Sequence, residues 1–205
     1  MSQSQVLVGA PSNTSLSDGA SPVMLGGKAG EAIMSPLHGK AFTAAYRNRV
    51  FFGSSLIAGV TIPVNTTTAP TFTLYNPLGS NLVLELLTLS IGWPAANAPV
   101  VGTILGSVST QTPTSVTQGG VIIPSPIGGG GVPQAKLYTA ATIVATTSHI
   151  PLINLPVVTV PSGPAINDLS LMGLLIYPGG LITLTSTPVQ TAACLPSISW
   201  AEWPA

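Results

Sequence analysis

Charge is what this chain has least of. Ten ionisable acidic and basic side chains, five of each sign, are spread over 205 residues, a 5% share where an ordinary soluble domain carries about a quarter. A free monomer normally stays soluble behind a mixed charged coat. Here Ser, Thr, Asn and Gln must take over that task, or another protein must cover the surface. Cysteine is nearly absent as well. Cys194 stands alone, which excludes an internal disulfide and a thiolate metal centre, and it reads as a small buried hydrophobe.

Long apolar runs and long proline-free intervals are missing too. A membrane-spanning helix needs about twenty mainly apolar residues. Every candidate window is broken: Pro151, Asn154 and Pro156 interrupt 150–160, and Pro178, Gly179 and Gly180 interrupt 169–184. No membrane partner is expected. Prolines from Pro11 to Pro204 exclude a helical bundle, since an interior proline costs a helix about 3 kcal/mol. The opening Met1-Ser-Gln-Ser-Gln-Val-Leu-Val has neither the basic start nor the apolar stretch of a signal peptide, so classical secretion is not expected. Yet 45% of the residues are apolar, enough to bury a core, and this argues against wholesale disorder. An all-β protein remains.

Catalytic signatures are equally scarce. The tract Gly128–Gly131 is followed by Val132-Pro133-Gln134, not by the Lys-Ser/Thr of a phosphate loop, and reads as a flexible loop. His38 and His149 lie far apart, neither with a His or carboxylate at metal-ligand spacing, and His149 is expected in a turn. No G-x-S-x-G elbow occurs, and the carboxylates are only Asp18, Glu31, Glu85, Asp168 and Glu202. The chain is expected to be no enzyme and to hold no metal or cofactor. Lys40, Tyr46, Arg47, Arg49, Phe51 and Phe52 form the single basic-aromatic cluster. Diluted by Glu31, it suits contact with an acidic protein surface better than nucleic acid. The sequons Asn13-Thr14-Ser15 and Asn65-Thr66-Thr67 are chance matches in a chain so rich in Ser and Thr.

What is present divides the chain in two. Lys28, Lys40, Arg47 and Arg49 all fall within residues 1–49, whose first part is rich in Ser, Gly and Pro without a clear period. This reads as an extended N-terminal arm. Within it, Ser35-Pro36 makes a helix start, Leu37, Ala41, Ala44 and Ala45 keep helical spacing, and Arg47 and Arg49 suit a helix C-terminus. The spacing predicts a short helix over 36–47. Residues 50–205 carry short apolar or alternating runs separated by Pro, Gly and Asn. Strands are predicted near 50–62, 70–76, 81–91, 100–110, 115–123, 138–147, 150–160, 169–177, 180–187 and 196–203, the pattern of an antiparallel β-sandwich, jelly-roll-like in style.

Two strands stand out. The run from Leu82 to Ile91 is apolar on both faces, which places Leu84, Leu86 and Leu89 in the core or at an oligomer interface and leaves Glu85 in need of a partner. The C-terminal Ile198-Ser-Trp-Ala-Glu-Trp203 puts Trp200 and Glu202 on one face and Trp203 on the other. Trp200 is expected in the core, and Trp203 at a rim or subunit contact.

Taken together, Leu37-His38-Gly39-Lys40, Tyr46-Arg47, Tyr75-Asn76-Pro77-Leu78-Gly79-Ser80, Tyr177-Pro178-Gly179-Gly180 and Ser199-Trp-Ala-Glu-Trp-Pro204 resemble small β-sandwich virion proteins of tailed phages. The resemblance spans about residues 37 to 204 and lies in a style of sequence. It implies a structural protein of the virion, such as a capsid decoration (cement) protein sitting as a homotrimer on the outer capsid surface. In that reading the sandwich trimerises, and the arm, through Lys28, Lys40, Tyr46, Arg47 and Arg49, grips the major capsid protein. The competing reading is a tail-fibre or tail-tip module that exposes loops around Ala95–Pro99 and Gly128–Pro133, near Trp93, to a host receptor.

Overall fold

Period-two alternation puts successive side chains on opposite faces of a strand. In Thr71-Phe72-Thr73-Leu74-Tyr75 it sends Phe72 and Leu74 into the central core and leaves Thr71, Thr73 and Tyr75 on the other face. The computed structural model describes residues 44–45, 48–66, 71–94, 99–117, 120–125, 130–144, 148–155, 166–171 and 174–205. Lys28, Lys40, Tyr46 and Arg47 of the expected arm lie outside these residues, as does nearly all of the expected helix 36–47.

Thirteen strands follow in order: β1 (Val50–Ser54), β2 (Val60–Ile62), β3 (Thr71–Tyr75), β4 (Leu82–Gly92), β5 (Gly102–Ser109), β6 (Thr114–Thr117), β7 (Val121–Ser125), β8 (Lys136–Thr142), β9 (His149–Leu155), β10 (Ile166–Ser170), β11 (Leu175–Ile176), β12 (Leu181–Thr187) and β13 (Gln190–Pro204). One sheet runs β10-β4-β13-β1-β7, with β11 also on β4 and β2 also on β13. The other runs β6-β8-β3-β12-β5-β9, and every strand pairing within the two sheets is antiparallel. Eight principal strands, β1-β13-β4-β10 facing β3-β12-β5-β9, have the order of a jelly roll. The expected β-sandwich is therefore present. The long connection from β5 to β9 adds β7 beside β1, and β8 with β6 beside β3, widening both sheets on the same flank.

The core fills the space between the sheets with Phe51, Phe72, Leu74, Leu84, Leu86, Leu89, Ile91, Trp93, Ile104, Leu137, Leu184, Ile198 and Trp200 among others. Phe51 and Trp200 lie with ring centroids 5.8 Å apart. Gly53 makes room for them: a Cβ there would sit 2.6 Å from Leu137 and 3.0 Å from Trp200. Pro124 and Pro151 fall in β7 and β9, the outermost strands of their sheets, where a missing N–H interrupts no second ladder.

Several sequence expectations are corrected. The stretch 50–62 is two strands, because the turn at 55–59 closes through Gly59 N–H to Leu56 O (2.8 Å), with Gly59 at φ 72°. The stretch 115–123 falls into β6 and β7, which belong to different sheets. The stretch 169–177 likewise divides into β10 and β11, and the final strand begins at Gln190, before the expected 196. His149 opens β9 and is not in a turn. Of the helix, Ala44 and Ala45 are described as helical, and the chain leaves them by a Schellman pair: Asn48 N–H to Ala45 O and Arg49 N–H to Ala44 O, both 2.9 Å. Asn48 takes the left-handed position at φ 56°, a role Asn tolerates better than most residues.

Candidate interaction surfaces

The C-terminal strand ties together the start of β1 and the loop before β8. Trp200 is fully buried and donates its indole N–H to Glu202 Oε1 (3.2 Å). The same buried carboxylate accepts the backbone N–H groups of Gln134 (3.1 Å to each oxygen) and Ala135 (3.0 Å). Three N–H donors thus satisfy an anion inside the fold. Glu202 N–H in turn reaches Arg49 O (2.8 Å), and Gly131 passes so close to Asn48 that a Cβ would meet its carbonyl oxygen at 2.7 Å. The end of the glycine tract is therefore a close backbone approach as well as a loop. On the opposite face of β13, Trp203 donates to Glu85 Oε2 (2.9 Å). This is the partner that Glu85 required. Trp203 packs beside Ala44, Val50 and Ala201, so the residues just before β1 pack on the outside of β1 and β13.

Cys194 is buried, its thiol donating to Val60 O (3.3 Å), and burial pushes the thiol pKa up to about 12. Such a thiol is inert near neutral pH. Leu84, Leu86 and Leu89 belong to the core. Trp93, the aromatic nearest an expected recognition loop, is also in the core and only 2% exposed. Residues 95–98 and 126–129 of those loops lie outside the described residues.

Away from the core, the two sheets differ in their outer faces. On the six-stranded sheet that face is itself buried, and its hydroxyls satisfy one another across strands: Thr73 Oγ1 with Thr183 Oγ1 (2.9 Å), Ser107 Oγ with Thr185 Oγ1 (2.6 Å), and Ser107 Oγ with His149 Nδ1 (2.7 Å). Thr71 donates to Leu184 O in the same row. On the other sheet, Phe52 stands directly opposite Ile123 and Ser54 opposite Val121. Phe52, Val121 and Ile123 are 50%, 46% and 43% exposed, a contiguous apolar flank on the outer face of β1 and β7. Beside it lie Ser199 and Thr88, whose hydroxyls bond at 2.6 Å.

A cleft of about 690 Å³ opens at the end of the sandwich where β5 stops and β12 begins. Ser109, Thr110, Gln111 and Ser148 line it from one sheet, and Leu174, Leu175 and Ile176 from the other. Tyr177 and Pro178 close it at the crossing into β12. Two turns fix this end. Pro178 and Gly179 (φ 86°) form a turn closed by Gly180 N–H to Tyr177 O (2.9 Å), the arrangement that Pro-Gly favours. Asn76, fully buried, donates to Leu82 O (2.8 Å) and Ile176 O (2.9 Å) and accepts from Ser80 Oγ (2.7 Å). Its backbone bonds Gly180 O and Gly179 N–H (2.9 and 2.8 Å). The motifs Tyr75-Asn76-Pro77-Leu78-Gly79-Ser80 and Tyr177-Pro178-Gly179-Gly180, a hundred residues apart, are thus one locked unit.

Among the described residues no three His, Cys, Asp or Glu side chains are grouped as metal ligands, and no helix is long and apolar enough to cross a membrane. No family model, curated protein or solved structure matches this chain.

Proposed function

We propose that this chain is a structural virion protein of the capsid decoration, or cement, type. It associates as a homotrimer through its sandwich, and the N-terminal arm attaches it to the major capsid protein on the outer shell. One observation carries the reading: a jelly roll with very few charges presents a contiguous apolar flank, Phe52, Val121 and Ile123, on the outer face of one sheet. Exposed apolar patches rimmed by polar residues mark protein contacts, and most soluble oligomers join copies of one chain with closed symmetry. The resemblance of the two locked turn motifs and the Trp-rich last strand to phage virion proteins points the same way. Jelly rolls serve both capsid and lectin domains, so the fold suits two positions on a particle.

The second reading, a tail-fibre or tail-tip receptor-binding module, is favoured by the cleft beside Tyr177. An antibody against the chain, applied to purified particles from the source of the sequence, separates the two. Label over the whole head is expected for decoration, and label confined to the tail supports the second reading. Particles free of label reject both.

A further inference from the structure

We infer that the cleft between β5 and β11 is a binding site for an uncharged saccharide. Its volume, about 690 Å³, falls in the range of small-molecule sites, roughly 300–1,000 Å³. None of the described residues lining it is charged. A phosphate, carboxylate or ammonium entering it would leave water without a countercharge, which is unfavourable. The two walls instead differ in polarity. Ser109, Thr110 and Ser148 offer hydroxyls from one sheet, while Leu174, Leu175, Ile176 and Pro178 offer carbon from the other. A pyranose ring has the same two characters, hydroxyl groups along its edges and C–H groups on its faces. Tyr177, 63% exposed at the mouth, supplies an aromatic surface with a hydrogen-bonding tip.

The walls are also held in place before any ligand arrives. Gln111 is spent on structure: its Nε2 donates to Ser109 Oγ and Val144 O (both 2.9 Å), and its Oε1 accepts Val144 N–H (2.6 Å). The opposite side is tied down by Asn76, through Ile176 O and the Gly179–Gly180 backbone. A preformed site avoids the cost of ordering loops on binding. This inference rests on the cleft and stands whether the protein decorates a head or tips a fibre.

The test is saturation-transfer NMR of the full chain against maltotriose, mannotriose, lactose and N,N′,N″-triacetylchitotriose, with sialyllactose and glucose 6-phosphate as anionic arms. Transfer to at least one neutral sugar is expected. Its affinity should fall at least tenfold in Tyr177→Ala and in Ser148→Trp, two changes at exposed positions, and stay within twofold in Phe52→Ser. The inference is overturned if no neutral sugar receives transfer, if an anionic sugar binds more tightly than all the neutral ones, or if both cleft variants bind like the parent chain. Because Phe52 lies on the apolar flank, loss of assembly in its variant without loss of sugar binding keeps the two proposals separate.

Discussion

The cleft and the apolar flank are built in opposite ways. The cleft gathers side chains from several separate stretches of chain and fixes its walls with polar bonds, Asn76 on one side and Gln111 on the other. The flank needs only the register of two neighbouring strands, Phe52 against Ile123 and Ser54 against Val121. Apolar side chains there have no polar partner to satisfy. A site that must orient a small ligand requires locks; a face that buries carbon against another protein does not. The difference teaches where fragility should lie: mutations of the buried residues that lock the cleft should cost stability, and mutations on the flank should cost association.

The sharpest way to break that comparison is Asn76→Ala. It leaves the carbonyls of Leu82 and Ile176 without their donor inside the fold, and a loss of about 3 kcal/mol is expected in urea denaturation, at one to three per orphaned group. A variant as stable as the parent would show that the two turns are not locked through this amide. Next comes Glu202→Gln, which replaces an acceptor of three N–H groups by an amide that must turn a donor toward some of them. About 2 kcal/mol should be lost, read by the same method. Gly53→Ala should cost about 1–2 kcal/mol by pushing its methyl against Leu137 and Trp200, with a lowered thermal midpoint as the readout. The smallest effect on stability belongs to the flank. Compared at dilutions where both chains are monomeric, Phe52→Ser together with Ile123→Ser should change unfolding free energy by no more than about 0.5 kcal/mol per site, as exposed positions do. A large loss there would mean that the flank is part of the monomer's core.

Much of the framework was legible in the residues, because alternation and turn chemistry are local. Thr71–Tyr75 and Leu181–Thr187 alternate apolar and hydroxyl residues and are strands, and Pro178-Gly179 announces its turn; but Leu181–Thr187, which reads as half-buried, is buried on both faces, as Thr71–Tyr75 is. The assignment of strands to sheets was not legible. Residues 115–123 read as one strand, since nothing in their pattern tells that Thr114–Thr117 joins β8 while Val121–Ser125 joins β1. A bulge escaped notice for the same reason: Ser199 pairs with Thr88 but Trp200 with Leu86, so Leu87 is the extra residue and the apolar alternation of β4 changes phase there. Partners far along the chain were also hidden. Glu85 plainly needed one, but only the pairing of β4 with β13 brings Trp203, 118 residues away, to its carboxylate. The cleft was not legible either, because its two walls, 108–111 with Ser148 on one side and 174–181 on the other, are far apart in sequence and meet only through the fold.

The account turns on whether the apolar flank joins copies of the chain. Light scattering after size exclusion, on the full chain and on Phe52→Ser/Ile123→Ser, measures this directly. The account predicts about three times 20.6 kDa for the parent and a folded monomer for the double variant. A parent chain that stays at 20.6 kDa across concentration, or a double variant that keeps the parent's mass, would contradict it.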